Sequence, residues 1–327
     1  MFAQKRAVSQ TQRTTTYAEH CRLHYVPLPL QAWWLDAVCG AQGWDAALAT
    51  NGNGRITGLM PYWITRRWGL PVVQLPPFSA YAGPWLRYPP DADFRLSSRY
   101  SFEHKTMAAL LNTLPQPVFF TQNFHPSVTN WLPFHHAGFR QTTRYTYVLG
   151  KMEDAAPVFQ QFKNPLRLKL RRAEQATEVL RDDSAAAEVL RLNSLSFQRK
   201  NLRPPHRDEA FARLHQALAE REQCAVFLAL DRRDGSPHAG LYLAFDERQA
   251  SAILAGFDPA HGAHCGLYGL YREAIVFCAA HGLSLDFDGG MEAGIGQVFR
   301  AFGASMVPFF QIWRGRNRFV EALYALR

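Results

Sequence analysis

Two stretches of this 327-residue chain run in the same order. Val118-Phe119-Phe120 leads through a helix-forming segment to Ala137-Gly138-Phe139 and then to Tyr145-Thr146-Tyr147-Val148. Leu285-Asp286-Phe287 leads through another to Phe302-Gly303-Ala304 and then to Phe309-Phe310-Gln311-Ile312. Each stretch reads as strand, helix, glycine stop, strand, and each follows a set of short β-type runs and a helix. An α/β module used twice, with mixed sheets, satisfies that order. Length agrees, because about 150 residues per domain gives about two domains here. The seam falls near Gly150–Ala156, which divides the chain into a disordered basic arm over 1–20, one module over 21–150 and a second over 151–327.

Local signals fill in both modules. A short helix over Leu30–Cys39 precedes β-type runs at Ala46–Thr50, Ile56–Ile64 and Val72–Leu75, with Asn51-Gly52-Asn53-Gly54 as a hairpin turn between the first two. Ser101–Leu114 and Pro126–His136 have helical spacing, while Val118–Gln122 and Tyr145–Leu149 read as strands. In the second half a basic amphipathic helix, Val158–Ala176, is interrupted near Asn164-Pro165. Helices at Ala185–Phe197 and Asp208–Glu222 follow. Next come strands at Ala225–Asp231, Ala239–Phe245 and Ser251–Phe257, and then a helix at Leu267–Ala280. A strand at Leu283–Asp288, a helix at Ile295–Phe302 and a strand at Pro308–Trp313 close the chain.

Composition excludes several classes. Hydrophobic residues at 47% and charged residues at 19% allow a buried core and exclude a disordered polyelectrolyte. Polar residues break every apolar stretch before the roughly 20 residues a membrane span needs, so no stable membrane insertion is expected. Met1–Thr16 is basic and rich in Gln, Ser and Thr with no apolar stretch behind it, which reads as an arm rather than a signal peptide. The 5 cysteines, Cys21, Cys39, Cys224, Cys265 and Cys278, lie far apart with no C-x-x-C pair. Neither a disulfide framework nor a zinc ribbon follows, and a reducing cytoplasm fits. The balance of 36 basic and 27 acidic residues, net +9, suits an anionic partner such as nucleic acid, a phosphorylated cofactor or a membrane surface, and equally a basic soluble enzyme.

Several residues have spacing that can carry chemistry. Arg167 and Arg171 share one face of the basic helix, and Lys169 and Arg172 share another; Lys200 extends the basic character in a following loop. These suit phosphate contacts or a solvated basic face. Asp286 and Asp288 alternate on a strand and so point to one face near its C-terminal end, where open α/β sheets bind ligands. One of such a pair can take a proton from an attacking amine; the plainer reading is a strand anchor and the start of the Gly289-Gly290 turn. Tyr268 and Tyr271 lie one turn apart on the helix that follows the glycine-containing run His261–Gly269. The Pro/Gly-rich aromatic loop Pro76–Trp85 places Trp85 as a lining residue for an acceptor. His135-His136 and His261/His264 lack an Asp, Glu or Cys at ligand spacing, so no metal is expected. No G-x-S-x-G signature is present.

The segment Leu166-Arg167-Leu168-Lys169-Leu170-Arg171-Arg172-Ala173-Glu174 resembles the R-x-x-(I/L)-R-K-A-E segment of the FemAB-like branch of the GNAT superfamily. Leu283–Gly290 with Val298-Phe299-Arg300-Ala301-Phe302-Gly303-Ala304 is similar to that branch's closing "DF-x-G" and "F-K-x-x-F-G-A" pattern. Gln31-Ala32-Trp33-Trp34-Leu35-Asp36-Ala37-Val38 looks like its opening helix. The resemblance implies two tandem GNAT-like modules packed around a central cleft. It further implies transfer of an acyl or aminoacyl group from acyl-CoA, or from aminoacyl-tRNA as the alternative donor, to a small-molecule, peptide or glycan amine. On that basis Asp288 or Asp286 is the base, Tyr268 or Tyr271 the acid, and the backbone at Gly256 and Phe257 the oxyanion holder. Gly262, Gly266 and Gly269 would receive a pyrophosphate, with Arg300 at the cofactor. Two departures stand out: Arg300 replaces the family's lysine, and the R/Q-x-x-G-x-G/A pyrophosphate loop is not intact. That second departure motivates an alternative, a non-catalytic RNA- or partner-binding tandem protein, while the D-x-D pair suggests a metal-dependent sugar-nucleotide transferase.

Overall fold

The computed structural model describes residues 8–89, 95–198 and 208–325. Lys200 lies outside them. The chain divides into two compact units, one made of Met1–Arg144 with Pro308–Arg327 and the other of Tyr145–Val307. Pro308–Arg327 therefore returns to the first unit, where the sequence places it at the end of the second.

The first unit opens with helix α1, Gln10–Leu23, capped by Ser9, whose hydroxyl accepts the Gln12 N–H at 3.2 Å. This helix replaces the first stretch read as a disordered arm. Its surface is polar, so the pattern is faint, but Tyr17 is fully buried and donates to the Leu30 carbonyl at 2.5 Å. Arg13 also pairs with Asp45, Nε to Oδ1 at 2.9 Å. After α2 (Ala32–Cys39), β1 (Trp44–Thr50) and β2 (Ile56–Arg67) form the expected hairpin. The Asn51 side chain caps it by accepting the N–H groups of Asn53 and Arg55, and Gly54 has φ +75°.

The chain continues through β3 (Leu70–Gln74), β4 (Trp85–Leu86), α3 (Leu96–Leu111), β5 (Phe119–Asn123), α4 (Leu132–His136) and into β6 (Arg140–Leu149). β3 pairs β5 in parallel across the α3 crossover, and the other pairs in this unit's sheet are antiparallel. Helix α4 is shorter than the helix read over Pro126–His136, because a turn closed by the His125 ring and Ser127 precedes it.

The second unit runs through α5 (Ala156–Gln160), α6 (Asn164–Ala176), β7 (Thr177–Arg181), α7 (Ala186–Gln198), α8 (Asp208–Ala219), β8 (Cys224–Asp231), β9 (Pro237–Phe245) and β10 (Gln249–Phe257). It is completed by α9 (Gly266–Ala280), β11 (Ser284–Asp286), α10 (Ala293–Ala301) and the start of β12 (Ser305–Gly315), after which α11 (Arg318–Ala325) belongs to the first unit. Pro165 at the start of α6 explains the predicted break, since proline fits a first helical turn and no interior. Strand order is β6-β11-β10-β9-β8-β7, with β10 and β11 parallel across α9.

Each unit thus contains a meander, a crossover helix and a parallel strand. The module's last strand is exchanged: Leu149 and Val148 of β6 pair β11 in the second unit, while Gln311–Gly315 of β12 pairs β5 in the first. The second unit buries its core between this sheet and α6, α9 and α10, through residues such as Leu166, Leu170, Leu241, Leu243, Leu270 and Phe302. Among the described residues no helix is long and apolar enough to cross a membrane.

Candidate active site

Strand β11 is only 3 residues long and ends at Asp286, whose side chain is buried. Its Oδ1 accepts the Thr146 hydroxyl at 2.5 Å and the Asp288 backbone N–H at 2.9 Å. That second bond is an Asx turn, and it bends the chain out of the strand. Asp288 accordingly takes φ +49°, followed by Gly289 at +150° and Gly290 at +132°. The alternation that would aim both carboxylates at one face stops at Asp286, so the two do different jobs. Asp286 holds the turn, and Asp288 sits half-buried within it.

The turn folds around Tyr147, next to Thr146 on β6. A Cβ at Gly290 would lie 2.4 Å from the Tyr147 ring, and one at Gly296 would lie 2.9 Å from its hydroxyl, so both glycines are required by contact. Arg300 of α10 donates to the Tyr147 hydroxyl at 2.9 Å. Thr146 and Tyr147 were not singled out from sequence as site residues. Their signal was present in the repeat, which marked Tyr145–Val148 as a module's closing strand.

Helix α9 supplies the tyrosines. Tyr271 is buried against Phe287, Phe299 and Phe302, with ring centroids 5.3, 5.7 and 5.7 Å away. Tyr268 is half-buried and accepts from the Lys169 ammonium at 2.6 Å, which also lies 4.4 Å from the ring centroid. Burial first, and then the neighbouring Asp286 charge, push the Asp288 carboxyl up to about 8. Burial, Asp288 and Tyr268 together raise the Tyr271 phenol. A carboxyl with a pKa near working pH both holds and releases a proton readily, which is what proton transfer from an amine requires.

The sheet beyond this point is occupied by protein. β10 pairs β11 only over Gln249–Ser251, and farther along, α7 lies on it. Asn193 donates its amide to the Ala255 carbonyl at 2.8 Å, and Ser196 accepts the Phe257 N–H at 3.4 Å. A Cβ at Gly256 would fall 2.3 Å from the Asn193 nitrogen. Gly256 is therefore spent on helix packing, and the Phe257 N–H proposed for an oxyanion already has a side-chain acceptor. Gly266 and Gly269 similarly let α9 approach Ala229 and Ala173, at 3.0 and 3.4 Å for an added Cβ. Gly262 lies in the 3-10 turn Pro259–His264 that leads into α9, over the Phe257 ring.

Residues 160–294 match the family model described as an acetyltransferase (GNAT) domain. No curated protein matches the chain. Among solved structures, FemX superposes with a TM-score of 0.60 at 12% identity, covering 93% of this chain and 96% of its own. L-PGS from Bacillus licheniformis superposes with a TM-score of 0.51 at 10% identity, covering 90% of each chain. The fold is that of a FemAB-like tandem GNAT protein. Within a FemAB-like fold, the Asp288 turn occupies the end of the parallel strand that follows the crossover helix, in the part matched by the GNAT model.

The predicted basic residues separate on this fold. Arg167 is turned on its own helix start, donating to the Phe162 carbonyl at 2.7 Å and the Gln160 carbonyl at 3.3 Å. Lys169 is held at Tyr268. Arg171 and Arg172 remain on the exposed face, and Arg172 lines a cavity with Gln175, Arg232 and Arg233. Trp85 belongs to the first unit: its indole donates to the Tyr25 carbonyl at 3.2 Å and its ring meets His125 edge-on. Asp286, Asp288, Tyr268, Tyr271, Lys169 and Arg300 all belong to the second unit, and Trp85 belongs to the first.

Proposed function

We propose that the chain is an N-acyltransferase that moves an acyl or aminoacyl group from a CoA thioester or a charged tRNA to an amine, with Asp288 as the base. The observation that carries this reading is a half-buried carboxyl with a pKa of about 8, at the end of the central parallel strand in the part that matches a GNAT domain. The incoming ammonium loses its proton to Asp288, the free amine attacks the acyl carbon, and the tetrahedral intermediate expels the donor's sulfur or ribose oxygen, which leaves with the surplus proton of the attacking nitrogen. Asp286 and Thr146 keep the Asp288 turn in place, and Arg300, fixed by Tyr147, supplies a positive charge at the rim of the site.

Of the two donors, charged tRNA is favoured. The Phe257 N–H and Ala255 carbonyl are already bonded by Ser196 and Asn193, and Arg172, Arg232 and Arg233 gather at one cavity suited to phosphates. The same filled sheet edge supports a second reading, a non-catalytic RNA-binding protein. The sugar-nucleotide transferase gains no support, because Asp286 is engaged by Thr146 and by the turn.

The test is a thermal shift of the purified chain with CoA, acetyl-CoA, long-chain acyl-CoA and charged tRNA in turn. A ligand that binds only the native state contributes roughly 2.7 kcal/mol at a hundredfold excess over Kd. A raised midpoint with charged tRNA, above that with the uncharged tRNA, supports the transferase. Equal shifts with both tRNAs support RNA binding alone, and a shift confined to thioesters replaces the donor.

A further inference from the structure

The sequence offers no ligand set around His261 and His264, because nothing nearby along the chain completes one. The fold completes it from elsewhere. Asp231 ends β8, His238 lies at the start of β9, and His264 closes the 3-10 turn before α9, and one ligand atom from each lies within 4.8 Å of the other two. His264 Nδ1 is 3.0 Å from His238 Nδ1 and 3.9 Å from Asp231 Oδ2. Two nitrogens bonded to one tetrahedral Zn²⁺ at the usual 2.0–2.1 Å sit about 3.3 Å apart, which these spacings bracket.

The surrounding contacts fix these side chains as ligands are fixed. Asp231 and His238 are buried, with Asp231 9% and His238 3% exposed. Asp231 Oδ1 accepts the Arg233 N–H at 2.7 Å, which leaves Oδ2 facing the imidazoles. His238 Nε2 lies 3.3 Å from Ser236 Oγ and 3.4 Å from Asp231 Oδ2. The His261 ring stacks on His238 with centroids 3.7 Å apart and an 8° interplanar angle, and its Nδ1 lies 3.5 Å from Asp258. Ring orientation is thereby set from both sides, the arrangement that outer partners impose on metal-binding histidines.

Asp231 and His264 also line a cavity of about 310 Å³ with Arg172, Gln175, Arg232 and Arg233. Three protein ligands would leave one coordination position for a further ligand.

We propose that Asp231 Oδ2, a ring nitrogen of His238 and His264 Nδ1 bind one divalent transition-metal ion, Zn²⁺ by ligand type, whose open position faces the arginine-lined cavity and takes an anionic oxygen. Mixed imidazole and carboxylate donors suit Zn²⁺, and they disfavour Mg²⁺ and Ca²⁺, which take oxygen ligands. The ion ties the β8–β9 turn to the segment leading into α9. It is independent of the transferase reading.

The full chain, stripped with a chelator and dialysed, is titrated with Zn²⁺, and bound metal is counted after gel filtration. Co²⁺ serves as a second probe, read by its visible absorption. One tight equivalent per chain, with a matching rise in thermal midpoint, is the expected result. His264→Ala, at a half-exposed position that leaves the fold intact, weakens Zn²⁺ binding by at least about 100-fold, and Ser236→Ala weakens it by about 10-fold. His104→Ala, in the other unit, leaves it unchanged. A stripped wild-type chain that takes up no Zn²⁺, or a His264→Ala chain that binds as tightly as wild type, overturns the site and leaves His238 and His264 as a hydrogen-bonded pair.

Discussion

Asp288 is held where charge is disfavoured twice, by burial and by Asp286. Its folded-state pKa of about 8 stands above the roughly 3.9 of an unfolded aspartate. Between those values the native state binds more protons than the unfolded one, so stability falls as pH rises through the window from about 4 to about 8 and levels off above it. Asp288→Asn removes that fall. The midpoint of Asp288→Asn minus that of wild type is expected to grow between pH 5 and pH 9, and a difference independent of pH would contradict the raised pKa. Asp286→Asn removes the like charge while keeping an acceptor for Thr146 and the turn, so Asp288 titrates lower in that variant, as carboxyl NMR would record. Gly290→Ala meets the Tyr147 ring at 2.4 Å at φ +132°, and a cost of about 2–4 kcal/mol is expected in denaturant unfolding.

The elements were legible wherever their period was clean. The hairpin at Asn51–Gly54, the buried runs of β8 and β9 and the crossover helix α9 all stand out in the sequence, since turn residues and apolar spacing agree there. Three features were hidden. Helix α1 buries little besides Tyr17 and His20, so its periodicity is weak, although Tyr17 anchors it fully. Tyr17→Ala is expected to cost about 3–5 kcal/mol, whereas an arm would lose nothing. The strand expected over Leu283–Asp288 ends two residues early, at Asp286, because the left-handed Asp288 is a product of the Asp286 side-chain bond and not of hydrophobic pattern. The grip of α7 on β10 depends on Gly256, whose backbone the family resemblance assigns to holding an oxyanion. Gly256→Ala would force the Asn193 backbone away and cost about 1–3 kcal/mol, with α7 the first segment to lose hydrogen-exchange protection.

Across the whole chain, the twofold order of strand, helix, glycine and strand was readable, and its seam was not. The seam misleads because the last strand of each repeat completes the other unit's sheet, with β6 on β11 and β12 on β5. Periodicity along one chain records that a strand forms, while the partner across the ladder is set in three dimensions. The Asp231, His238 and His264 cluster was hidden for the same reason, since its members come from β8, β9 and the turn before α9. Net charge of +9 and the arginines at the cavity lie on the side of an anionic donor. The most direct measurement follows acyl transfer to an amine by the full chain, with charged tRNA and acyl-CoA as donors, for wild type and Asp288→Asn from pH 6 to pH 9. The expected result is turnover of one donor class above its no-enzyme control, rising with pH to a plateau above about 8, and slowed at least about 100-fold in Asp288→Asn. Equal turnover by the two proteins would remove Asp288 from the chemistry, and no turnover with either donor would contradict the acyltransferase itself.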